Sequence, residues 1–158
     1  MKNKHEKITL KVVVACSTGG HMIQARQFES IYSKYDFCYF TFQGGVAEEL
    51  AKTQPVIVIP NITKKNVWSW IRGMFCSLYW AIRIQPDVVF TTGAGVVVFF
   101  CVFCKLFGSK LIFLESMARV ESPTLTARML HPFANLFLVQ WPALVRNFSK
   151  AQYWGRLF

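Results

Sequence analysis

The sequence predicts an α/β fold, a Rossmann-like parallel sheet with helices on both faces, formed by a single domain over residues 1–158. The length of 158 residues fits one domain and is enough to bury a core. Short β-branched and aromatic runs alternate with helical stretches along the whole chain, as in folds with right-handed crossovers. The first run, at residues 12–14, consists of three valines without polar alternation, so we expect a strand that is covered on both faces.

The individual elements follow from short-range signals, taken in order along the chain. Residues 8–15 are apolar and precede a turn at Gly19 and Gly20, beyond which a helix is expected. Pro55 and Pro60 bracket a further apolar run and cannot continue it as a strand. On this basis, strands are predicted at residues 8–15, 37–42, 55–60, 87–91, 110–114 and 135–139. Helices are predicted at residues 22–33, 46–52, 66–85, 96–107 and 125–130, with a final helix after Pro142.

The composition restricts the classes of partner. The formal net charge is +10, and residues 51–86 and 122–158 contain Lys and Arg without any Asp or Glu. A positive surface favours anionic lipid, a pyrophosphate-bearing substrate or nucleic acid. Most aromatic residues lie in predicted strands and apolar helices rather than among the basic residues, so nucleic acid is not the expected partner.

Cysteine usage and glycine spacing argue against a metal or a cofactor. The five cysteines are an odd number spread over predicted core elements, which is typical of reduced thiols in the cytosol. Cys101 and Cys104 have CxxC spacing, but they lie in an apolar helix without a second ligand pair. The first glycine turn lacks the third glycine of a dinucleotide motif, and no P-loop is present. We therefore expect no metal site and no cofactor.

Three predicted strands end in polar or glycine-rich residues. These ends are residues 17–21, 91–95 and 115–119. Because the carboxyl ends of parallel strands lie along one edge of the sheet, where ligands bind, we expect the three segments to converge on a binding site. The turn at Gly19 and Gly20, followed by a helix, suits a phosphate or an oxyanion. A plain strand-to-helix turn without a ligand would have the same spacing.

Two apolar stretches raise the question of membrane contact. Residues 88–107 contain Lys105 as their one charged residue, but a Gly-Ala-Gly interruption favours a strand, a turn and a buried helix over a membrane span. The predicted helix 66–85 has a narrow polar stripe, which includes Lys65 and Arg83, and a broad apolar arc. Such a helix lies either in a membrane interface or between the sheet and a partner subunit. The residues expected at a membrane interface are Trp68, Trp70, Arg72, Phe75 and Trp80.

Four motifs in this order resemble a known family. They are residues 15–21, 86–95, 114–120 and 139–142. The chain looks like the acceptor-side, membrane-associating subunit of two-subunit GT-B glycosyltransferases. That family includes the anchoring subunit of the dolichol-linked N-acetylglucosaminyltransferase and bacterial capsular and exopolysaccharide counterparts. The Gly-Gly-His turn is more distantly similar to the N-terminal domain of the peptidoglycan lipid-linked GlcNAc transferase.

The resemblance implies a function that needs a partner. The chain would be equivalent to the N-terminal half of a GT-B enzyme and inactive alone, with the UDP-sugar bound by a donor-binding subunit. Eukaryotic members carry an N-terminal membrane helix, for which residues 1–7 leave no room, so the bacterial branch is expected. The acceptor would then be a sugar linked to undecaprenyl diphosphate, and the protein would be peripheral on the cytoplasmic face of the cell membrane. The alternative is a non-catalytic anchor or activator of a complete glycosyltransferase.

The same resemblance suggests roles for individual residues. His21 would be the general base or, alternatively, a structural imidazole. Glu115 would bind the acceptor sugar or act as the base instead, unless it forms an ion pair with Arg119. The C-terminal tail, residues 151–158, is unusually apolar and would contact the partner subunit. The residues expected to bind the acceptor and its diphosphate are Ser17, Thr18, Gly19, Gly20, Thr92, Gly93, Gly95, Ser116 and Arg119.

Overall fold

The computed structural model describes residues 10–62 and 66–157. The strands in this part of the chain are β1 (Lys11–Cys16), β2 (Asp36–Phe42), β3 (Val56–Ile59), β4 (Val88–Gly93), β5 (Lys110–Leu114), β6 (Leu136–Val139) and β7 (Ala151–Tyr153). The α-helices are α1 (Gly20–Arg26), α2 (Glu29–Tyr32), α3 (Gly45–Ala51), α4 (Val67–Ile84), α5 (Val98–Leu106) and α6 (Leu125–Leu130). Two 3-10 helices span Gly95–Val97 and Pro142–Asn147.

The strands form one parallel sheet in the order β3-β2-β1-β4-β5-β6-β7. The predicted Rossmann-like fold is therefore confirmed. The chain runs outwards from β1 to β3 and then returns to β4 on the other side of β1. In sheets of this kind, the point where the strand order reverses leaves a crevice beyond the carboxyl ends of the two strands. Here that crevice lies above β1 and β4.

Helices cover both faces of the sheet, as the valine run in the first strand predicts. Val12 and Val14 pack in a cluster with Met22 and Ala25 of α1. Val13 belongs to a larger cluster on the opposite face, which includes four residues of α5. Successive side chains of a strand point to opposite faces, so all three valines are buried only because both faces are covered.

The prediction of a single helix at residues 22–33 is wrong. The chain forms α1 and α2 instead, with a break at Gln27 and Phe28. The half-buried Phe28 ring contacts Phe90 of β4 edge to face, with the ring centroids 5.2 Å apart. Packing of this ring against the sheet accompanies the change of direction between the two helices.

Two further elements differ from the prediction. The helix expected at residues 96–107 begins as a 3-10 turn before α5. The final helix expected after Pro142 is a short 3-10 helix, and it is followed by β7, which was not predicted. β7 has three residues, too few to show an alternating pattern, and its strand character comes from parallel pairing with β6. By contrast, β5 and α6 have the predicted bounds.

Helix α4 packs through its small residues. Gly73, Ser77 and Ala81 are buried, one turn apart along the helix, and a Cβ added at Gly73 would overlap the side chain of Ile62. Because the side of α4 with small residues faces the protein, large apolar side chains on the rest of the helix lie in solvent. These exposed side chains are Val67, Trp68, Ile71, Phe75, Tyr79 and Ile82. Lys65 of the predicted polar stripe lies outside the described residues.

The alternative of a membrane span at residues 88–107 is wrong. This segment forms strand β4, a 3-10 turn and the nine-residue helix α5. Within residues 10–62 and 66–157, no helix combines the length and the apolarity that crossing a bilayer requires.

Candidate functional site

The carboxyl ends of β1, β4, β5 and β6 meet at one edge of the sheet, next to the crevice. The predicted binding residues that follow β1 are Ser17, Thr18, Gly19 and Gly20, and those in and after β4 are Thr92, Gly93 and Gly95. Glu115, Ser116 and Arg119 follow β5. The topology therefore brings the three predicted segments to the same edge.

His21 is fixed to the end of β4 by two hydrogen bonds. The Nδ1 atom lies 2.8 Å from the carbonyl oxygen of Thr92, and the Thr92 hydroxyl donates to the carbonyl oxygen of His21 at 2.9 Å. Because a carbonyl oxygen only accepts hydrogen bonds, Nδ1 carries the proton. In the neutral imidazole the other nitrogen, Nε2, then has a free lone pair and can accept a proton.

Glycine residues keep the backbone beside His21 open. Gly19 has a φ of 85°, a conformation that favours glycine. A Cβ added at Gly19, Gly20 or Gly95 would meet no atom within 4 Å. Gly93, with a φ of 95°, lies close to the ring, because a Cβ there would be 3.8 Å from Cε1 of His21. An incoming group can therefore approach the backbone of these turns closely.

Ala94 is a strained residue without any signal in the sequence. It has a φ of 130°, which is unusual for a residue with a side chain, and it directly precedes the 3-10 turn after β4. Strained backbone of this kind is concentrated at ligand sites and is held in place by the surrounding structure. Its position next to Thr92 and Gly93 supports a site at this edge.

Glu115 is a fully buried carboxylate at the end of β5, with 0% exposure. One oxygen accepts from the N–H of Ser116 at 2.8 Å, and the other accepts from the N–H of Thr124 at 2.9 Å. The Thr124 hydroxyl lies 3.1 Å from both oxygens. Glu115 thus closes residues 115–124 into a loop, which we name the β5 loop.

The predicted alternative of an ion pair between Glu115 and Arg119 is not formed. The ion pairs within the described residues are Arg26 with Glu29 and Lys52 with Glu49. Arg119 is exposed on the β5 loop. The catalytic role of Glu115 stays a prediction, but its carboxylate is engaged by the loop and does not face solvent.

Two buried glutamines at this edge were missed as functional candidates. The side-chain nitrogen of Gln140, after β6, donates to the side-chain oxygen of Gln24 at 2.8 Å and to the carbonyl oxygen of Glu115 at 3.0 Å. The same Gln24 oxygen accepts from the N–H of Met117 at 3.1 Å. Gln140 belongs to the motif at residues 139–142, whereas Gln24 is a lone amide on an apolar helix face and gives no signal in the sequence.

The predicted membrane-interface residues lie on α4, which follows β3 and packs against α5, and they differ in exposure. Trp68, Arg72 and Phe75 are exposed. Trp70 is half-buried and its ring lies 6.1 Å from that of Phe99, centroid to centroid. Trp80 is half-buried against the main core. Of the predicted set, Trp68, Arg72 and Phe75 are therefore the exposed side chains that can contact a membrane.

The cysteines are buried or half-buried in the described structure. All five cysteines are free thiols. Burial raises the pKa of Cys16 and of Cys101 to about 12, so these thiols stay protonated near neutral pH and pack as small apolar side chains. Within the part of the chain that the structure describes, no three His, Cys, Asp or Glu residues are grouped to hold a metal ion.

Comparison with known proteins gives a family match over most of the chain. The family profile described as "Oligosaccharide biosynthesis protein Alg14 like" matches residues 57–157. The UDP-N-acetylglucosamine transferase subunit alg14 of Schizosaccharomyces pombe is 38% identical over 93 residues, which is 56% of this chain and 44% of that protein. The corresponding subunit of Mus musculus is 33% identical over 102 residues, which is 56% of this chain and 47% of that protein. The chain thus spans less than half the length of these relatives.

Solved structures resemble the fold at low sequence identity. MurG from Acinetobacter baumannii superposes with a TM-score of 0.72 at 16% identity, over 90% of this chain and 45% of that chain. The UDP-N-acetylglucosamine 2-epimerase from Rickettsia bellii superposes with a TM-score of 0.71 at 12% identity, over 94% of this chain and 45% of that chain. The match confirms the Rossmann-like domain of GT-B proteins as the fold, and at these identities it shows the fold alone.

Proposed function

This chain belongs to the family of Alg14-like oligosaccharide biosynthesis proteins, and we propose that it is the acceptor-binding subunit of a UDP-sugar-dependent glycosyltransferase. The observation that carries this proposal is His21, which presents a proton-accepting nitrogen beside open glycine turns at the crevice. The relatives are named as subunits of a UDP-N-acetylglucosamine transferase, which supports a separate donor-binding partner. Residues 1–158 would act as one acceptor-binding domain.

The arrangement supports a direct transfer of the sugar. Nε2 of His21 would take the proton from an acceptor hydroxyl while the hydroxyl oxygen forms a bond to the anomeric carbon of the sugar. The bond between that carbon and UDP breaks, and UDP leaves with the electron pair. A Cβ added at Gly19 or Gly20 would meet no atom within 4 Å, and the diphosphate of the acceptor would approach the backbone of this turn. Glu115 would hold the β5 loop, with Ser116 and Arg119 near the acceptor.

The test is transfer by the reconstituted pair. The full chain is purified with a donor-binding glycosyltransferase subunit and assayed with a panel of UDP-sugars, beginning with UDP-N-acetylglucosamine, on a lipid-diphosphate-linked acceptor. We expect transfer by the pair and none by this chain alone. Turnover by this chain without the partner would contradict the proposal.

The non-catalytic anchor is the second candidate. The exposed apolar side chains of α4 favour it, since they provide an apolar surface for recruitment. This candidate requires the partner to transfer sugar alone, at an unchanged rate on detergent-dispersed acceptor. Loss of transfer in the complex with a His21 variant would exclude it.

We propose that the exposed face of α4 lies on a membrane surface. Trp68 is 77% exposed and Phe75 is 60% exposed, and Arg72 and Arg83 lie on the same helix in solvent. Aromatic side chains next to cations are typical of helices that lie in the interface of an anionic bilayer. The finer proposals are a peripheral position on the cytoplasmic face and an acceptor on undecaprenyl diphosphate in bacterial capsular or exopolysaccharide synthesis.

Replacing Phe75 by serine is expected to weaken binding of the full chain to anionic vesicles about tenfold, because an apolar ring is removed from the interface. The measurement is co-sedimentation with vesicles of phosphatidylglycerol and phosphatidylcholine. Trp154→Ser is the matched control, since Trp154 is 70% exposed but lies at the C-terminal end, away from α4. Equal binding by Phe75→Ser and the unchanged protein would contradict the proposal for α4.

Replacing Trp154 by serine is expected to weaken association with the donor-binding partner about tenfold or more, because exposed tryptophans are frequent hot spots of interfaces. Co-purification in detergent and a titration by light scattering measure the effect. Here the control is reversed: Trp68→Ser should leave the association unchanged. Undiminished association of the Trp154 variant would argue against partner contact by the tail. Phe158 of the tail lies outside the described residues.

A further inference from the structure

The C-terminal segment, defined here as residues 151–157, contacts two consecutive residues that follow β6. The N–H of Leu157 donates to the side-chain oxygen of Gln140 at 3.3 Å. The guanidinium of Arg156 lies over the ring of Trp141, 4.7 Å from the ring centroid, in a cation–π contact. Both contacts attach the end of the described chain to the strand-end region.

The same two residues also hold the β5 loop. The side-chain nitrogen of Gln140 donates to the carbonyl oxygen of Glu115 at 3.0 Å. The indole N–H of Trp141 donates to the carbonyl oxygen of Met117 at 2.7 Å. Gln140 and Trp141 therefore link the C-terminal segment to the β5 loop. Each of the two residues has one contact with the C-terminal segment and one hydrogen bond to the β5 loop.

The connection continues to the helix that carries His21. Gln24 follows His21 by three residues on α1, and its side-chain oxygen accepts from Gln140 at 2.8 Å and from the N–H of Met117 at 3.1 Å. Gln140 is 1% exposed, so water does not replace a lost partner without a structural change. Both side-chain N–H groups of Gln140 are used, which makes its orientation depend on the loop and on α1 together.

We infer that Gln140 and Trp141 are positioning residues, which set the β5 loop and α1 for acceptor binding and are themselves locked by the C-terminal segment. This inference rests on the proposed function for the identity of the ligand, but the coupling itself is a property of the chain. Because the tail is also the proposed contact of the donor-binding partner, docking of that partner would tighten the loop that meets the acceptor. The motif at residues 139–142 would serve to connect the C-terminal segment to the β5 loop and α1.

Hydrogen exchange of the full-length chain tests the coupling without any substrate. Trp141→Phe keeps a ring under Arg156 but removes the donor to Met117, and it is expected to raise amide exchange in residues 116–124 about two- to tenfold. Arg156→Gln removes only the cation–π contact between the C-terminal segment and Trp141, and it should raise exchange in the same residues about two- to fivefold. Gln54→Leu is the matched control, since Gln54 makes its hydrogen bond to Glu29, next to β2 and far from β6 in the sheet.

Kinetics of the complex separates positioning from general stability. In the complex with the partner, Trp141→Phe is expected to raise the KM for the lipid-linked acceptor about two- to tenfold, with the KM for the UDP-sugar unchanged. A purely structural role would lower the amount of active enzyme and leave both KM values as they are. Gln140→Leu should raise the KM for the lipid-linked acceptor further than Trp141→Phe does. If the Gln140→Leu variant does not fold, the Trp141→Phe variant still tests the positioning role.

The two proposals fail in different ways. Unchanged exchange in residues 116–124 for both Trp141→Phe and Arg156→Gln would overturn the coupling, whatever the transfer assay gives. An equal rise of both KM values, or of neither, in the Trp141 variant would overturn the positioning role. Absence of transfer by the unchanged complex would instead refute the proposed function, while the exchange measurement would still decide the coupling.

Discussion

Replacing His21 by alanine is expected to lower the rate of sugar transfer by the complex about 10²–10⁴-fold, the contribution typical of a general base. The expectation follows from the hydrogen bond between Nδ1 and the carbonyl oxygen of Thr92, which directs the lone pair of Nε2 away from the strand. The measurement is kcat with saturating acceptor and UDP-sugar, after the fraction of folded complex has been determined for each variant.

The control for this prediction is a second histidine of the same chain. His131, at the C-terminal end of α6, packs against the rings of Phe137 and Phe148, which also contact each other. Its Nε2 accepts from the N–H of Lys150 at 3.3 Å. His131→Gln retains an acceptor there and should leave the transfer rate per folded molecule within a factor of about two. A His21→Ala complex that keeps the full rate would show that His21 is not the base.

Replacing Glu115 by alanine is expected to lower the free energy of unfolding by about 2–5 kcal/mol, because the backbone N–H groups of Ser116 and Thr124 would lose their acceptor. Denaturant titration of the full chain measures this change. Glu121→Ala is the matched control on the same loop, since Glu121 is exposed, and it should change stability by less than about 0.5 kcal/mol.

Glu115→Gln distinguishes a holding role from a catalytic one. Glutamine keeps the shape and one accepting oxygen, so the folded variant should retain transfer within about tenfold of the unchanged complex if the carboxylate only holds the β5 loop. A loss of 10²-fold or more in a stable Glu115→Gln complex, together with a fully active His21→Ala complex, would reverse the two assignments. Either outcome is measured in the assay used for His21.

Much of the candidate site could be predicted because each of its segments follows a recognisable strand. Val12 and its two neighbouring valines mark β1, and Gly19 and Gly20 mark the turn that must follow. Given parallel strands, the segments after β1, β4 and β5 have to meet at one edge. The role of Glu115 could not be predicted in this way. Besides the N–H of the adjacent Ser116, its oxygens accept from Thr124, nine residues away on a loop without a regular pattern.

The amino-acid sequence by itself determined strands β1 to β6, the glycine turns and the class of fold, because these depend on neighbouring residues and on a strict order of elements. The tertiary structure alone decided which face of α4 is buried, the existence of β7 and the link between Gln24 and Gln140. Those two glutamines are 116 positions apart. Their hydrogen bond forms only because the fold brings α1 and the end of β6 together. No local pattern of side chains indicates which distant elements will come into contact.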